Sequence, residues 1–122
     1  NIINENSNKF TVQIANDNSD GQIVVSGKLD DLKKMIDLLK TNSIKNIQLP
    51  VSAPFHCALM NKATEVMEKH INELSLSTGL NNVISNVTAK SVSDPNEIKN
   101  LLIKQIENSL LVCLFLFSFL LS

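Results

Sequence analysis

The sequence predicts an α/β fold, and three observations support that prediction. Segments in which apolar and polar residues alternate, as in half-buried strands, come between segments whose apolar residues recur at helical spacing. The length of 122 residues suits one ordinary domain. A hydrophobic content of 43% beside 19% charged residues is typical of a globular chain and not of a disordered one.

Four short strands are predicted from alternation and turn signals. Phe10 to Ala15 alternates, a dense turn signal occupies residues 16–21, and Gln22 to Ser26 follows as the second arm of a hairpin. Ile47 to Val51 alternates as a third strand, and Val83 to Val87 is a fourth.

Three helices are predicted. Leu29 to Leu39 is amphipathic, with lysines and aspartates on its solvated face, and Pro54 to Leu74 forms the longest helix. Asp94 is a strong N-cap for a third helix, Pro95 to Asn108. His70, on or beside the apolar stripe of the second helix, is interpreted as a structural or surface residue. That stripe, whose methionines we expect to fill the core, comprises Leu59, Met60, Ala63, Met67, Ile71 and Leu74.

Charge and cysteine content exclude several classes of function. A net charge of −1 gives no reason to expect nucleic-acid binding. Every basic residue is lysine, so the chain has no arginine for bidentate capture of a carboxylate or phosphate. Cys57 and Cys113 lack metal-ligand spacing, which predicts no metal site and a reduced, cytoplasmic setting.

The last residues differ from the rest. Leu110 to Leu121 is almost entirely apolar, yet shorter than the roughly 17–25 residues that a membrane-spanning helix needs. Flanking basic residues and caps are missing too, so we expect no membrane span. We interpret residues 110–122 as an aberrant tail, such as readthrough in a shifted frame; the alternative is a weak membrane anchor.

His56 is the residue of greatest chemical interest. It follows a short strand and two prolines and is predicted to lie in the first turn of the second helix. The positive end of the helix dipole favours a neutral imidazole there, which is the form a general base needs. From the residues alone, catalytic base and helix-start residue both remain open, because the sequence contains no G-x-S-x-G nucleophile elbow.

Two motifs resemble those of one enzyme family. Residues 18–27 (NSDGQIVVSG) resemble the N-S-P-G-Q-x-V-x-x-G segment of malonyl-CoA:acyl-carrier-protein transacylases, and residues 49–60 (LPVSAPFHCALM) resemble their L-x-V-S-x-x-F-H-S-x-L-M segment. The spacing between the two motifs is also similar. The resemblance extends from about Lys9 to Ser109.

The resemblance implies transfer of a malonyl group from coenzyme A to acyl carrier protein in fatty-acid synthesis, with malonyl-CoA as substrate and no cofactor. His56 would be the general base that activates a serine nucleophile and then the incoming thiol. Gln22 and Asn18 match positions that line the substrate cleft. The family fold implies a partial ferredoxin-like small subdomain (a ββαβ remnant, residues 1–50) and a partial α/β-hydrolase-like large subdomain (residues 51–109).

The sequence also departs from the family. Asp20 stands where the family has proline, and Cys57 where it usually has serine. The elbow serine and the carboxylate-binding arginine belong upstream of Asn1, and the segment that orients the histidine belongs after Ser109. We therefore expect a fragment that is inactive alone and marginal or misfolded, with Ile44 to Leu49 lacking a neighbouring strand and Gln22 to Ser26 on an exposed edge. The alternatives are a complementing half of a split transacylase, whose N-terminal half is a separate chain, and a small ferredoxin-like binding module with a membrane-associating tail.

Overall fold

The computed structural model describes residues 2–6, 8–77 and 83–111, which form a mixed α/β structure with two small sheets. The predicted α/β class is therefore confirmed. The helices are α1 (Ile2–Glu5), α2 (Leu29–Thr41), α3 (Asn61–Glu73) and α4 (Pro95–Lys104), with a 3₁₀ turn at Ala58–Met60. The strands are β1 (Val12–Ser19), β2 (Gln22–Gly27), β3 (Val83–Ser85), β4 (Lys90–Val92) and β5 (Leu110–Leu111).

The larger sheet has the order β2-β1-β5. β1 and β2 form the predicted antiparallel hairpin, and β2 is one of the two edge strands of this sheet, as expected. The connection is shorter than predicted, because β1 continues to Ser19 and only Asp20 and Gly21 join the strands. Gly21 has a φ of 77°, a conformation that glycine adopts without a Cβ penalty.

The third strand of this sheet comes from the end of the described chain. Leu110 and Leu111 pair in parallel with Asn16 and Asp17 of β1, and Leu110 is buried. The first two residues of the predicted aberrant tail therefore belong to the sheet. The rest of that tail, residues 112–122, lies outside the described residues.

The predicted strand from Ile47 to Val51 is wrong. Residues 44–50 have no regular structure, and Ile47, Leu49 and Val51 are all exposed. Alternation marks a segment that suits a pleated surface, but a strand also needs a partner edge. In the described part of the chain, neither sheet includes this segment as a strand.

The predicted helix from Pro54 is shorter than expected. His56 has a left-handed φ of 57° and Cys57 is extended, so no helix can form before the 3₁₀ turn, and α3 begins at Asn61. His56 therefore precedes the helix instead of lying in its first turn. The prediction that the methionines of the stripe fill the core is also wrong for Met67, which is exposed, whereas Ile71 is buried.

The second sheet is the β3–β4 hairpin, of which only the first strand was predicted. β3 ends at Ser85, and the chain turns before β4. Asp94 caps α4 as predicted, with Oδ1 accepting from Glu97 N at 2.8 Å, but the helix ends at Lys104, before Asn108. No helix in the described ranges is both long and apolar enough to cross a membrane.

Burial predicts which apolar residues matter for stability. Met35 on α2 is 1% exposed, whereas Ile47 is 77% exposed. We expect Met35→Ala to lower the free energy of unfolding by about 2–5 kcal/mol, because it leaves a cavity. Ile47→Ala, the matched control, should change it by less than about 0.5 kcal/mol. Urea denaturation of both variants tests this, and equal losses would contradict the burial pattern.

A hydrogen bond between Thr11, just before β1, and Asp31 of α2 makes the stability of the fold depend on pH. The Asp31 carboxylate accepts from Thr11 N at 2.9 Å and from Lys34 Nζ at 3.2 Å. These two hydrogen bonds, the Thr11 one foremost, hold the pKa of Asp31 below its ordinary value. A carboxyl group with a lowered folded-state pKa stabilises the fold above its unfolded-state pKa, and that contribution is lost as the pH falls through the folded-state pKa. Asp31→Asn should therefore lower the melting temperature at pH 7, and this difference should shrink as the pH falls below the ordinary pKa of an aspartate, as measured by circular dichroism.

Candidate active site around His56

His56 lies in an irregular turn between the extended segment and α3. Phe55 N donates to Ala53 O at 3.0 Å, and Met60 N donates to Cys57 O at 2.9 Å, so the turn is closed on both sides of the histidine. The positive φ of His56 is uncommon for a residue with a Cβ. Such conformations persist where the surroundings fix them, and they cluster at functional sites.

The imidazole of His56 is held by a backbone carbonyl. Its Nδ1 lies 2.7 Å from the carbonyl oxygen of Gln105, and the side chain is half-buried. A carbonyl oxygen can only accept, so Nδ1 carries the hydrogen and donates it. In the neutral ring, Nε2 then has the free lone pair and is the atom able to take up a proton. The contact thus fixes the tautomer that a general base acting through Nε2 requires.

This contact corrects one expectation from the sequence. The group that orients the histidine was expected after Ser109, yet Gln105 is the first residue after α4 and lies before that point. The sequence gives no signal for it, because the accepting atom belongs to the backbone and not to the glutamine side chain. Only the packing of α4 shows that this carbonyl faces His56.

A second side chain missed by the sequence analysis ties the histidine turn to the sheet. Gln13 of β1 accepts a hydrogen bond from Ala58 N through Oε1, at 2.7 Å. In the sequence Gln13 is simply a polar residue on the outer face of a predicted strand.

Cys57, which precedes Ala58 in the chain, is 2% exposed, and its thiol donates to Pro54 O at 3.1 Å. It is therefore a buried structural residue.

Gln22 and Asn18 lie at the tip of the β1–β2 hairpin. Gln22 is exposed and pairs with Ser19, while Asn18 is half-buried in a bulge, where the register shifts by one residue. The structure thus joins His56 to Gln105 by a hydrogen bond, but in the described part of the chain no hydrogen bond joins His56 to Asn18 or Gln22.

An open cavity of about 380 Å³ lies at the other end of the hairpin. Val12, Gln13 and Gly27 line it together with Cys57 and Ala58, which directly follow the histidine. Gly27 belongs to a close approach of two strands, since a Cβ there would lie 2.1 Å from Thr11 O. Within the described ranges, no three His, Cys, Asp or Glu side chains are grouped so that they could hold a metal ion.

The tautomer of His56 can be measured directly. We expect ¹⁵N NMR of histidine-labelled protein at neutral pH to show the Nδ1–H form for His56, because the Gln105 carbonyl accepts only from that form. His70 is exposed on α3 and serves as the internal reference, with the free-histidine mixture of tautomers. A free-histidine mixture at His56 as well would contradict the contact.

Curated proteins are similar in sequence to most of this chain. Malonyl CoA-acyl carrier protein transacylase of Bacillus subtilis is 38% identical over 96 residues, which are 78% of this chain and 30% of that protein. The polyketide biosynthesis malonyl CoA-acyl carrier protein transacylase PksC of the same organism is 43% identical over 81 residues, 65% of this chain and 28% of that protein. No protein-family model matches the chain.

Solved structures agree with these relatives. Malonyl CoA-acyl carrier protein transacylase from Clostridium perfringens superposes with a TM-score of 0.90 and 36% identity over 99% of this chain and 38% of that one. The structure of a type II PKS acyl-carrier protein in complex with its malonyl-transacylase gives 0.81 and 27% identity, over 89% of this chain and 36% of that one. The chain spans about three-tenths of the length of the curated relatives it matches. The chain therefore belongs to the malonyl CoA-acyl carrier protein transacylase family, of which it matches one stretch.

Proposed function

We propose that this chain is the histidine-bearing stretch of a malonyl transacylase, which moves a malonyl group from coenzyme A to the thiol of acyl carrier protein. The observation that carries the proposal is the 2.7 Å contact between His56 Nδ1 and the Gln105 carbonyl. It leaves Nε2 as the proton acceptor, as general base catalysis requires. The homology of the surrounding residues to malonyl transacylases indicates which reaction that base serves.

In the proposed reaction His56 acts twice. Nε2 first accepts the proton of a serine hydroxyl as the serine oxygen attacks the thioester carbonyl of malonyl-CoA; the coenzyme A thiolate then leaves and takes up that proton. In the second half, Nε2 accepts the proton of the carrier-protein thiol, whose sulfur attacks the malonyl-serine ester, and the proton returns to the serine oxygen. The serine belongs to residues outside this sequence, which contains no G-x-S-x-G.

The remaining site assignments belong to the same proposal. Asn18 and Gln22 line the substrate cleft, and an arginine outside this sequence pairs with the malonyl carboxylate. Residues 1–50 are then part of a ferredoxin-like small subdomain and residues 51–109 part of the large acyltransferase subdomain. The β1–β2–α2 unit and the α3–α4 packing are consistent with this division.

Acyl carrier protein is the proposed protein partner, and the complex of a similar transacylase with its carrier protein supports that assignment. The proposed setting is cytoplasmic, where the free, buried thiol of Cys57 would stay reduced. The chain would act together with the serine-bearing part of the enzyme, whether that part is joined to it or is a separate polypeptide.

A chimera tests the proposal. In the Bacillus subtilis transacylase, the stretch homologous to this chain is replaced by residues 9–109, and malonyl transfer to acyl carrier protein is measured. We expect the chimera to be active and His56→Ala to lower kcat by about 10²–10⁴-fold, the usual contribution of a general base. His70→Ala, the matched control on the exposed face of α3, should leave kcat unchanged.

Two results would overturn the proposal: a folded chimera without transfer, or a His56→Ala chimera as fast as its parent. The 122-residue chain assayed alone should form no malonyl ester, because it has no nucleophile elbow. The serine-bearing part is either joined to this chain or a separate polypeptide, and a mixing experiment distinguishes the two. The chain is mixed with the Bacillus subtilis enzyme from which the homologous stretch has been deleted, and recovery of malonyl transfer would favour two separate polypeptides.

A further inference from the structure

The carbonyl that orients His56 lies in a turn that could move relative to the histidine. Gln105 is in the turn that follows α4, whereas His56 is in the turn that precedes α3. The turn that contains Gln105 is fixed to α4 by hydrogen bonds from Gln105 N to Leu101 O and from Asn108 N to Lys104 O. These bonds do not fix it to α3. Something must therefore hold the end of α4 against the beginning of α3 for the 2.7 Å contact to persist.

The carboxylate of Glu107 makes that connection. Its Oε2 accepts from Thr64 Oγ1 at 3.0 Å, which is shorter than the 3.3 Å from that hydroxyl to its other acceptor, Met60 O. Asn61 Nδ2 lies 3.4 Å from the same carboxylate oxygen, at the long end for a hydrogen bond. Thr64 is 8% exposed and Glu107 is half-buried, so the pair is shielded from much of the solvent. Asn61 begins α3, and a carboxylate near the first turn of a helix is stabilised by the helix dipole.

These contacts close a ring around the histidine. From His56 the chain runs through the 3₁₀ turn to Thr64, across the hydrogen bond to Glu107, back two residues to Gln105, and through the carbonyl to His56 Nδ1. A ring closed by two hydrogen bonds fixes the imidazole relative to both helices. Loss of the Glu107–Thr64 bond opens the ring on the side opposite the histidine.

We propose that Glu107 and Thr64 are positioning residues that keep the Gln105 carbonyl on His56 Nδ1 and so maintain the tautomer with a free Nε2. Their catalytic consequence rests on the function proposed above for His56, but their effect on the imidazole does not. The far end of the helix pair offers a comparison, because Lys99 Nζ donates to Asn72 O at 3.1 Å and joins α4 to α3 away from the histidine.

The experiment uses the same chimera with variants at Thr64. Thr64→Val keeps the shape of the side chain and removes its hydroxyl, whereas Thr64→Ser keeps the hydroxyl. We expect Thr64→Val to lower kcat by about 10- to 100-fold with an unchanged KM for malonyl-CoA, because a slightly misplaced base slows the chemical step without weakening substrate binding. In ¹⁵N NMR, His56 should shift from the Nδ1–H form towards the free-histidine mixture.

The controls separate positioning from general loosening of the fold. Thr64→Ser should restore both kcat and the Nδ1–H signal, and Lys99→Met, which removes the contact at the far end, should change neither. If Thr64→Val unfolds at the assay temperature, Glu107→Ala decides by the same two readouts. The inference would be overturned if a folded Thr64→Val or Glu107→Ala variant kept both the Nδ1–H form and the kcat of its parent. It would also be overturned if Thr64→Ser lowered kcat and the Nδ1–H signal as much as Thr64→Val. Inactivity of the parent chimera would reject only the proposed function, since the NMR signal still reports on the positioning pair.

Discussion

Hydrogen bonding along both edges of β1 is the constraint on which the rest of the structure depends. One edge pairs with β2 and the other with β5, and Val12 and Ala15 of this strand are among the most buried residues described. Gln13 extends the same strand to the histidine turn through Ala58 N. β1 is therefore the central strand of the larger sheet, contributes to the core and supports the candidate site.

Local chemistry explains the parts of the fold that the sequence predicts well. The hairpin, the amphipathic helix α2 and the Asp94 cap of α4 each depend on signals within a few residues: alternation, a glycine that takes a positive φ, and a carboxylate one position before a proline. The resemblance to malonyl transacylases could also be seen in the sequence, because it depends on the residues of two short motifs.

The failures have a different physical origin, since each depends on residues far away in the chain. Ile47 to Val51 alternates like a strand but pairs with no strand among the described residues, and the two leucines that begin the apolar tail form a strand by pairing with β1. The orientation of His56 could not be foreseen either. It depends on a left-handed φ within a turn and on a backbone carbonyl 49 positions along the chain, neither of which leaves a side-chain signal.

The parallel pairing of Asn16 with Leu110 has a consequence for how such a chain acquires its structure during synthesis. The β1–β2 hairpin is local and can form as soon as Gly27 is available, whereas the pairing of β5 must close a loop that contains most of the chain. The histidine turn depends on the same late region through Gln105. On the ribosome, therefore, β1 cannot pair with β5, and His56 lacks its carbonyl partner, until almost the last described residue has emerged. Until then, the edge of β1 that β5 covers has no partner from the described part of the chain, and an unpaired strand edge is open to chaperones and to neighbouring nascent chains.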